Sequence, residues 1–99
     1  MVNVDLIHKA LANPLRRDIL AWVKRPDSGF AQEDIAFGHG VPLSAIQARS
    51  GLSQSTISAH VSSLVKAGLL VPMRFGQFVF LSRNEELIDA FVAYLDRGL

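Results

Sequence analysis

The sequence predicts a mainly α-helical domain with one small β-hairpin, and three observations carry that prediction. Apolar residues recur at helical spacing in five separate segments. Two of those segments, within Leu43–Gly68, are joined by a tight glycine turn. Between Gly68 and Asn84 the pattern changes to two short apolar runs around a Phe75-Gly76 centre, as two strands and a turn require. At 99 residues the chain is read as a single domain spanning 1–99, ordered α-α-α-α-β-β-α.

The first helix is expected over Val2–Ala12, with Val4, Ile7 and Leu11 along one stripe and Leu6 and Ala10 widening it. Asn13-Pro14 marks a boundary: Asn caps the next helix and Pro occupies its first turn, where a missing N–H costs nothing. The helix from Pro14 to Lys24 should bury Leu15, Ile19, Trp22 and Val23 and turn Arg16, Arg17 and Lys24 outward. Trp22 is read as core, not as a ligand-stacking aromatic, because it sits at helical spacing beside Ile19 and Val23. Pro26–Val41 is the least regular stretch, broken by three glycines, with a short helical turn expected around Phe30–Phe37. His39 lies there between two glycines with no second metal ligand at a suitable spacing, and is read as a loop histidine.

The next helix places Ala45, Ile46 and Ala48 on an apolar side and stops at Gly51. Ser53 then offers an N-cap to Gln54–Lys66, in which Ile57, Val61 and Leu64 share one face. The opposite face holds Ser55, Ala59, Ser62 and Lys66, with Ser58 on its flank. An ordinary solvated helix face carries Glu and Lys pairs. This one carries hydroxyls, a methyl and one cation, which suits entry into a DNA major groove about 12 Å wide. The plainer alternative is a serine-rich surface helix, or one covered by another domain. Beyond it, Pro72 confines its strand to an edge, and Arg74 near the hairpin tip has a guanidinium able to grip a phosphate or reach a minor groove. Asn84 caps a final helix whose Leu87, Ile88, Phe91, Val92 and Leu95 cover more than half its circumference. So small a domain cannot easily bury both terminal helices, and the expectation is a homodimer closed through Val4, Ile7, Leu11, Leu87, Ile88, Phe91, Val92 and Leu95.

The net charge of +1 hides an uneven distribution. Residues 1–34 are neutral overall, 35–84 carry +4 without a single acid, and 85–99 carry −3. The acid-free segment holds the paired helices and would not repel phosphates. The absence of cysteine excludes disulfides and thiolate metal sites. No apolar run reaches the roughly 18 residues of a membrane span, and early acids give the N-terminus no leader shape, so a cytoplasmic protein is expected. No nucleophile–base–acid grouping or phosphate-cradling glycine loop is visible, so an enzyme is not expected.

Three stretches, KALANPLRRDIL (Lys9–Leu20), GLSQSTISAHVSSLVKAGLL (Gly51–Leu70) and FGQFVFLS (Phe75–Ser82), resemble the ArsR/SmtB family of bacterial repressors. The resemblance spans nearly the whole chain and implies a winged helix-turn-helix: a homodimer that binds an imperfect operator palindrome in double-stranded DNA and represses until an inducer loosens it. It also implies that Gln54, Ser55, Ser58 and Ala59 fall where members contact bases, and that Arg74 and Gln77 fall on the wing. With Thr56, Ser62 and Arg49 these make up the expected DNA-binding set. Many members sense metals through a cysteine motif near the start of the first helix of the pair, but here that run is GVPLSAI. Others use Asp and His on the terminal helix, which here has Asp89 and Asp96 but no histidine. No metal, cofactor or catalytic residue is therefore expected, and an inducer would be an unknown small molecule, a partner protein or nothing. The alternative functions are a repressor with a non-standard sensor site, or an interaction module docking a protein on Phe75, Phe78, Phe80 and the 26–41 loop.

Overall fold

The computed structural model describes residues 2–26, 29–30 and 40–99. Five helices lie among them: α1 (Val4–Leu11), α2 (Pro14–Lys24), α3 (Leu43–Ser50), α4 (Gln54–Lys66) and α5 (Glu85–Gly98). Strands β1 (Val41–Pro42), β2 (Leu70–Phe75) and β3 (Phe78–Arg83) form an antiparallel sheet of order β1-β3-β2. The order of the helices and the hairpin is the expected one. Apart from Phe30, the expected Phe30–Phe37 turn lies outside the described residues, as does His39.

The helices begin where short polar side chains can take up orphan backbone N–H groups. Asn3 accepts from Leu6 N at 3.1 Å, so α1 starts at Val4 and not at Val2. Asn13 accepts from both Leu15 N (2.9 Å) and Arg16 N (3.3 Å), with Pro14 in the first turn. Ser53 caps α4 through Thr56 N, and Asn84 caps α5 through Leu87 N. Gly51 ends α3 at φ +72°, a left-handed conformation that costs a side-chain-free residue nothing, and its N–H reaches the carbonyls of Gln47 and Ala48.

The core gathers Ile7 and Ala10 of α1, Ile19, Leu20 and Val23 of α2, Ala45 and Ile46 of α3, and Ile57, Val61 and Leu64 of α4. Val41, Leu70 and Leu81 supply the inner face of the sheet, and Phe91 is the one buried residue of α5. Some expectations shift. Ala48 is exposed and takes no part in the inner side of α3. Trp22 and Leu15 are half-buried against the core. Arg16, expected to face outward, is half-buried, and its Nε donates to His60 Nδ1 of α4 at 3.1 Å.

β1 was not foreseen. Two residues carry no periodicity, and their strand character comes from pairing: Val41 opposes Leu81 and Pro42 opposes Phe80. The addition makes β3 the central strand and leaves β2 at the edge, where Pro72 can be tolerated without breaking a ladder. The hairpin is closed by Gly76 at φ +63°, followed by Gln77 at negative φ, and Phe75 pairs with Phe78 across it. At the other end of β3, Arg83 donates to the Leu20 carbonyl (3.3 Å) and to both oxygens of Glu85 (2.8 and 3.2 Å), fastening the sheet and the start of α5 to α2.

Replacing Asn13 by Ala removes the acceptor of two N–H groups. It should cost about 1 kcal/mol and lower the melting temperature by roughly 4–8 °C for a domain of this size, as a calorimetric scan would read. The hydrogen bonds from Arg83 hold the Glu85 carboxyl below its ordinary value of 4.5. A lowered folded-state pKa stabilises at pH above that value and is lost as pH falls through the folded pKa. Glu85→Gln should therefore melt slightly below the wild type at neutral pH, with the gap closing in acid; a gap unchanged by pH would contradict the assignment.

Candidate nucleic-acid interface

The second helix of the pair, α4, is placed by its buried side. Ile57 and Leu64 are fully buried and Val61 nearly so, which turns Ser55, Ala59, Ser62 and Lys66 to the surface. Gln54 and Thr56 are also exposed, and Ser58 is half-buried on the flank. Ser55 to Ser62 spans about 10 Å of helix axis at 1.5 Å per residue, a length a groove can accept. Among the described residues no carboxylate occurs between Gly40 and Asn84.

The cap of α4 organises the hydroxyls at its entry. Ser53 Oγ accepts from Thr56 N, donates to Thr56 Oγ1 at 2.9 Å and lies 3.4 Å from Ser55 Oγ. Thr56 thus belongs partly to the cap, though its own hydroxyl hydrogen is left to donate outward.

The wing and the helix pair meet at an open cleft of about 480 Å³ lined by Ser44, Gln47, Gln54, Arg74, Gln77 and Phe78, among others. Three residues expected from sequence, Gln54, Arg74 and Gln77, come together there although 20 positions or more separate the first from the other two. Ser44 and Gln47 of α3 were missed. They sit three apart on the side of α3 away from Ala45 and Ile46, so the helical period itself was the signal that could have found them.

Arg49 does not join this group. Its guanidinium lies 4.6 Å from the centroid of Trp22 and 5.0 Å from that of Phe30, a cation–π stack that holds it against α2. Arg83 is engaged by Glu85 and the Leu20 carbonyl. Of the four bases in the acid-free segment, Arg49, Lys66 and Arg74 are exposed; Arg49 is stacked on Trp22, and Arg74 and Lys66 stand on the wing and on α4. The electrostatic attraction of this surface is therefore weaker than its formal +4 implies.

The residues expected at a dimer interface divide. Ile7 and Phe91 belong to the chain's own core, and the His8 ring packs edge-on against Phe91 at 5.5 Å, joining α1 to α5. Val4, Leu11, Leu87, Ile88 and Leu95 are half-buried, while Val92 is 56% exposed. Leu6 and Tyr94 add open apolar surface on the same two helices. Among the described residues no three His, Asp or Glu side chains converge as a metal site would need, and no helix is long and apolar enough to cross a membrane.

No protein-family model matches the chain. It is 37% identical over 91 residues to an uncharacterized HTH-type transcriptional regulator, YbzH, of Bacillus subtilis (strain 168), covering 90% of this chain and 91% of that protein. Among solved structures, an ArsR family transcriptional regulator superposes with a TM-score of 0.72 at 21% identity, covering 95% of this chain and 84% of the other. NolR from Sinorhizobium fredii superposes with a TM-score of 0.60 at 26% identity, covering 93% and 80%. A turn-linked helix pair with a polar outer face, a β-wing beside it and this degree of likeness lead to one conclusion: the chain belongs to the helix-turn-helix transcriptional regulators and has the winged fold of their ArsR-family members.

Proposed function

We propose that the chain acts as a homodimeric repressor that reads an operator palindrome with α4 and steadies it with the wing. The observation that carries this reading is the outward face of α4, which is exposed, free of acids and lined by small hydroxyls, with Gln54 at its start sharing a cleft with Arg74 and Gln77. Gln54, Ser55, Ser58, Ala59 and Ser62 are assigned to base edges in the major groove, with Thr56 at the rim. Ser44 and Gln47 are assigned to the DNA backbone, which the first helix of such a pair crosses. Arg74 and Gln77 are assigned to the wing contact, and Arg49 is withdrawn from the set because of its stack on Trp22.

An imbalance in α5 supports the dimer. Of its 14 residues only Phe91 is buried, while Val92 and Tyr94 stand open beside half-buried Leu87, Ile88 and Leu95. A two-fold contact with the exposed side of α1 covers that surface and sets two α4 helices at the spacing of successive major grooves. Metal sensing is not part of the proposal: the cysteine run of the family is replaced by GVPLSAI, and α5 lacks histidine. An inducer, if one exists, is a small molecule of unassigned chemistry.

Gel-shift titration on a duplex from the region upstream of the protein's own gene should give a salt-sensitive complex. Ser55→Glu and Arg74→Glu should each weaken it tenfold or more, about 1.4 kcal/mol or above, and Arg74→Ala should reduce the slope of log K against log salt by about 1 per arginine. A complex indifferent to all three variants contradicts the assignment. Val92→Glu should turn a dimer into a monomer in sedimentation equilibrium and weaken DNA binding with it; an unaltered mass contradicts the proposed interface.

A further inference from the structure

The outer face of the wing is apolar to its end. Register places Val71, Met73 and Phe75 of β2 on the same side of the sheet as Ser82, Phe80 and Phe78 of β3. Phe80 is buried, flanked by Met73 on one side and Pro42 of β1 on the other. The remaining apolar residues stand open: Val71 and Met73 along the strand, then Phe75 and Phe78 at the tip, 59% and 51% exposed. These two rings flank the Gly76-Gln77 turn as a cross-strand pair, and Phe78 is braced from behind by Phe80 at 6.5 Å. The neighbouring Arg74 falls on the opposite side of the sheet and lines the cleft shared with Gln54.

We propose that Phe75 and Phe78 form an apolar wedge that enters the minor groove beside the recognition site, partly unstacks one base step and bends the duplex. This rests on the DNA-binding reading above and extends it from where the protein binds to what it does to the DNA. Arg74 and Gln77 near the tip are enough to track phosphates, whereas the two aromatic rings beside them offer a phosphate nothing and call for an apolar contact. Aromatic wedges next to a cation are how proteins kink DNA from the minor groove. The wedge projects from the wing whose Arg74 and Gln77 share a cleft with Gln54 of α4, so the tip is continuous with the proposed major-groove contact. The wing contains no acid; Arg83 at its base is engaged by Glu85 and the Leu20 carbonyl, and the charge near its tip is Arg74, which suits a polyanion. A protein strand added to the β2 edge is the competing occupant. It is disfavoured because Pro72 has no N–H to extend the ladder.

The wedge concentrates sequence preference at a position no side chain reads directly. Pyrimidine–purine steps unstack most easily, so a TA or CA step should lie where the tip meets the duplex.

The test uses the full chain on the upstream duplex, with the bound segment mapped by footprinting. Bending is read by circular permutation, and unstacking by 2-aminopurine placed at steps along the edge of the footprint. Wild type should bend the duplex and raise 2-aminopurine fluorescence at one step. The double variant Phe75→Ala, Phe78→Ala should bind tenfold weaker or worse and lose both signals at saturating protein. Phe75→Leu, Phe78→Leu should keep most of the bend, because an aliphatic wedge still inserts. Arg74→Ala should lose affinity yet bend the duplex once saturated. Circular dichroism of each variant confirms folding. A footprint that persists with the double alanine variant bending as the wild type does would overturn the wedge alone. So would a double variant whose DNA behaviour is unchanged while its sedimenting mass falls, since the face would then be a protein contact. Absence of any wild-type footprint would overturn the DNA reading and the wedge together.

Discussion

Everything on the functional side of this molecule depends on how α4 is anchored. Ile57, Val61 and Leu64 recur on one stripe and are taken into a core built by α1, α2, α3 and the sheet. Withdrawing those side chains from water is the strongest orienting force available to a helix of 13 residues. Its rotation about its own axis is thereby set, and the opposite stripe of serines and Ala59 has nowhere to go but outward. Ser53 determines where the helix begins and Gly51 how the chain turns into it. The polar face is thus a consequence of the apolar one, and it needs no positioning contacts of its own.

Charge is distributed more sparingly than a residue count suggests. Two guanidiniums of the acid-free segment serve the fold: Arg49 stacks on Trp22 and Phe30, and Arg83 bridges β3, α5 and α2. Arg16 likewise works internally, tying the start of α2 to His60 of α4 and to the Lys9 carbonyl. By accepting from Arg16, His60 Nδ1 favours the tautomer with its proton on Nε2. A surface that commits two of its four cations to contacts within the fold binds phosphate more weakly per copy. That favours action as a pair, with specificity resting on short polar contacts more than on long-range attraction.

The sheet divides its labour by face. Leu70, Leu81 and Val41 seal the core, while the hairpin beyond them is long enough to stand clear of it and carries Phe75 and Phe78 into solvent. β1 is only two residues long, yet it pairs with Leu81 and Phe80 on one side of β3, and the longer of the sheet's two edges is β2, where Pro72 sits. An edge with a proline is poorly suited to recruiting another strand. The wing can therefore present apolar side chains with less risk of pairing with its neighbours.

The sequence by itself determined the helices, three of their caps (Asn13, Ser53 and Asn84) and the hairpin, because each rests on interactions spanning a few residues: a 3.6-residue stripe, an Asn or Ser two or three positions from an orphan N–H, a glycine where φ must be positive. It also determined that α4 has one apolar and one small polar side, from which Ser55, Ala59 and Ser62 could be named. Tertiary structure alone decided which long side chains were already occupied, since Arg49 is 27 positions from Trp22 and Arg16 is 44 from His60. It decided β1, whose strand character exists only through Leu81 and Phe80. It moved Ile7 and Phe91 from an expected interface into the core, and it brought Gln54, Ser44 and Gln47 to the same cleft as Arg74. Periodicity specifies the face of an element; what that face meets depends on how the other elements pack.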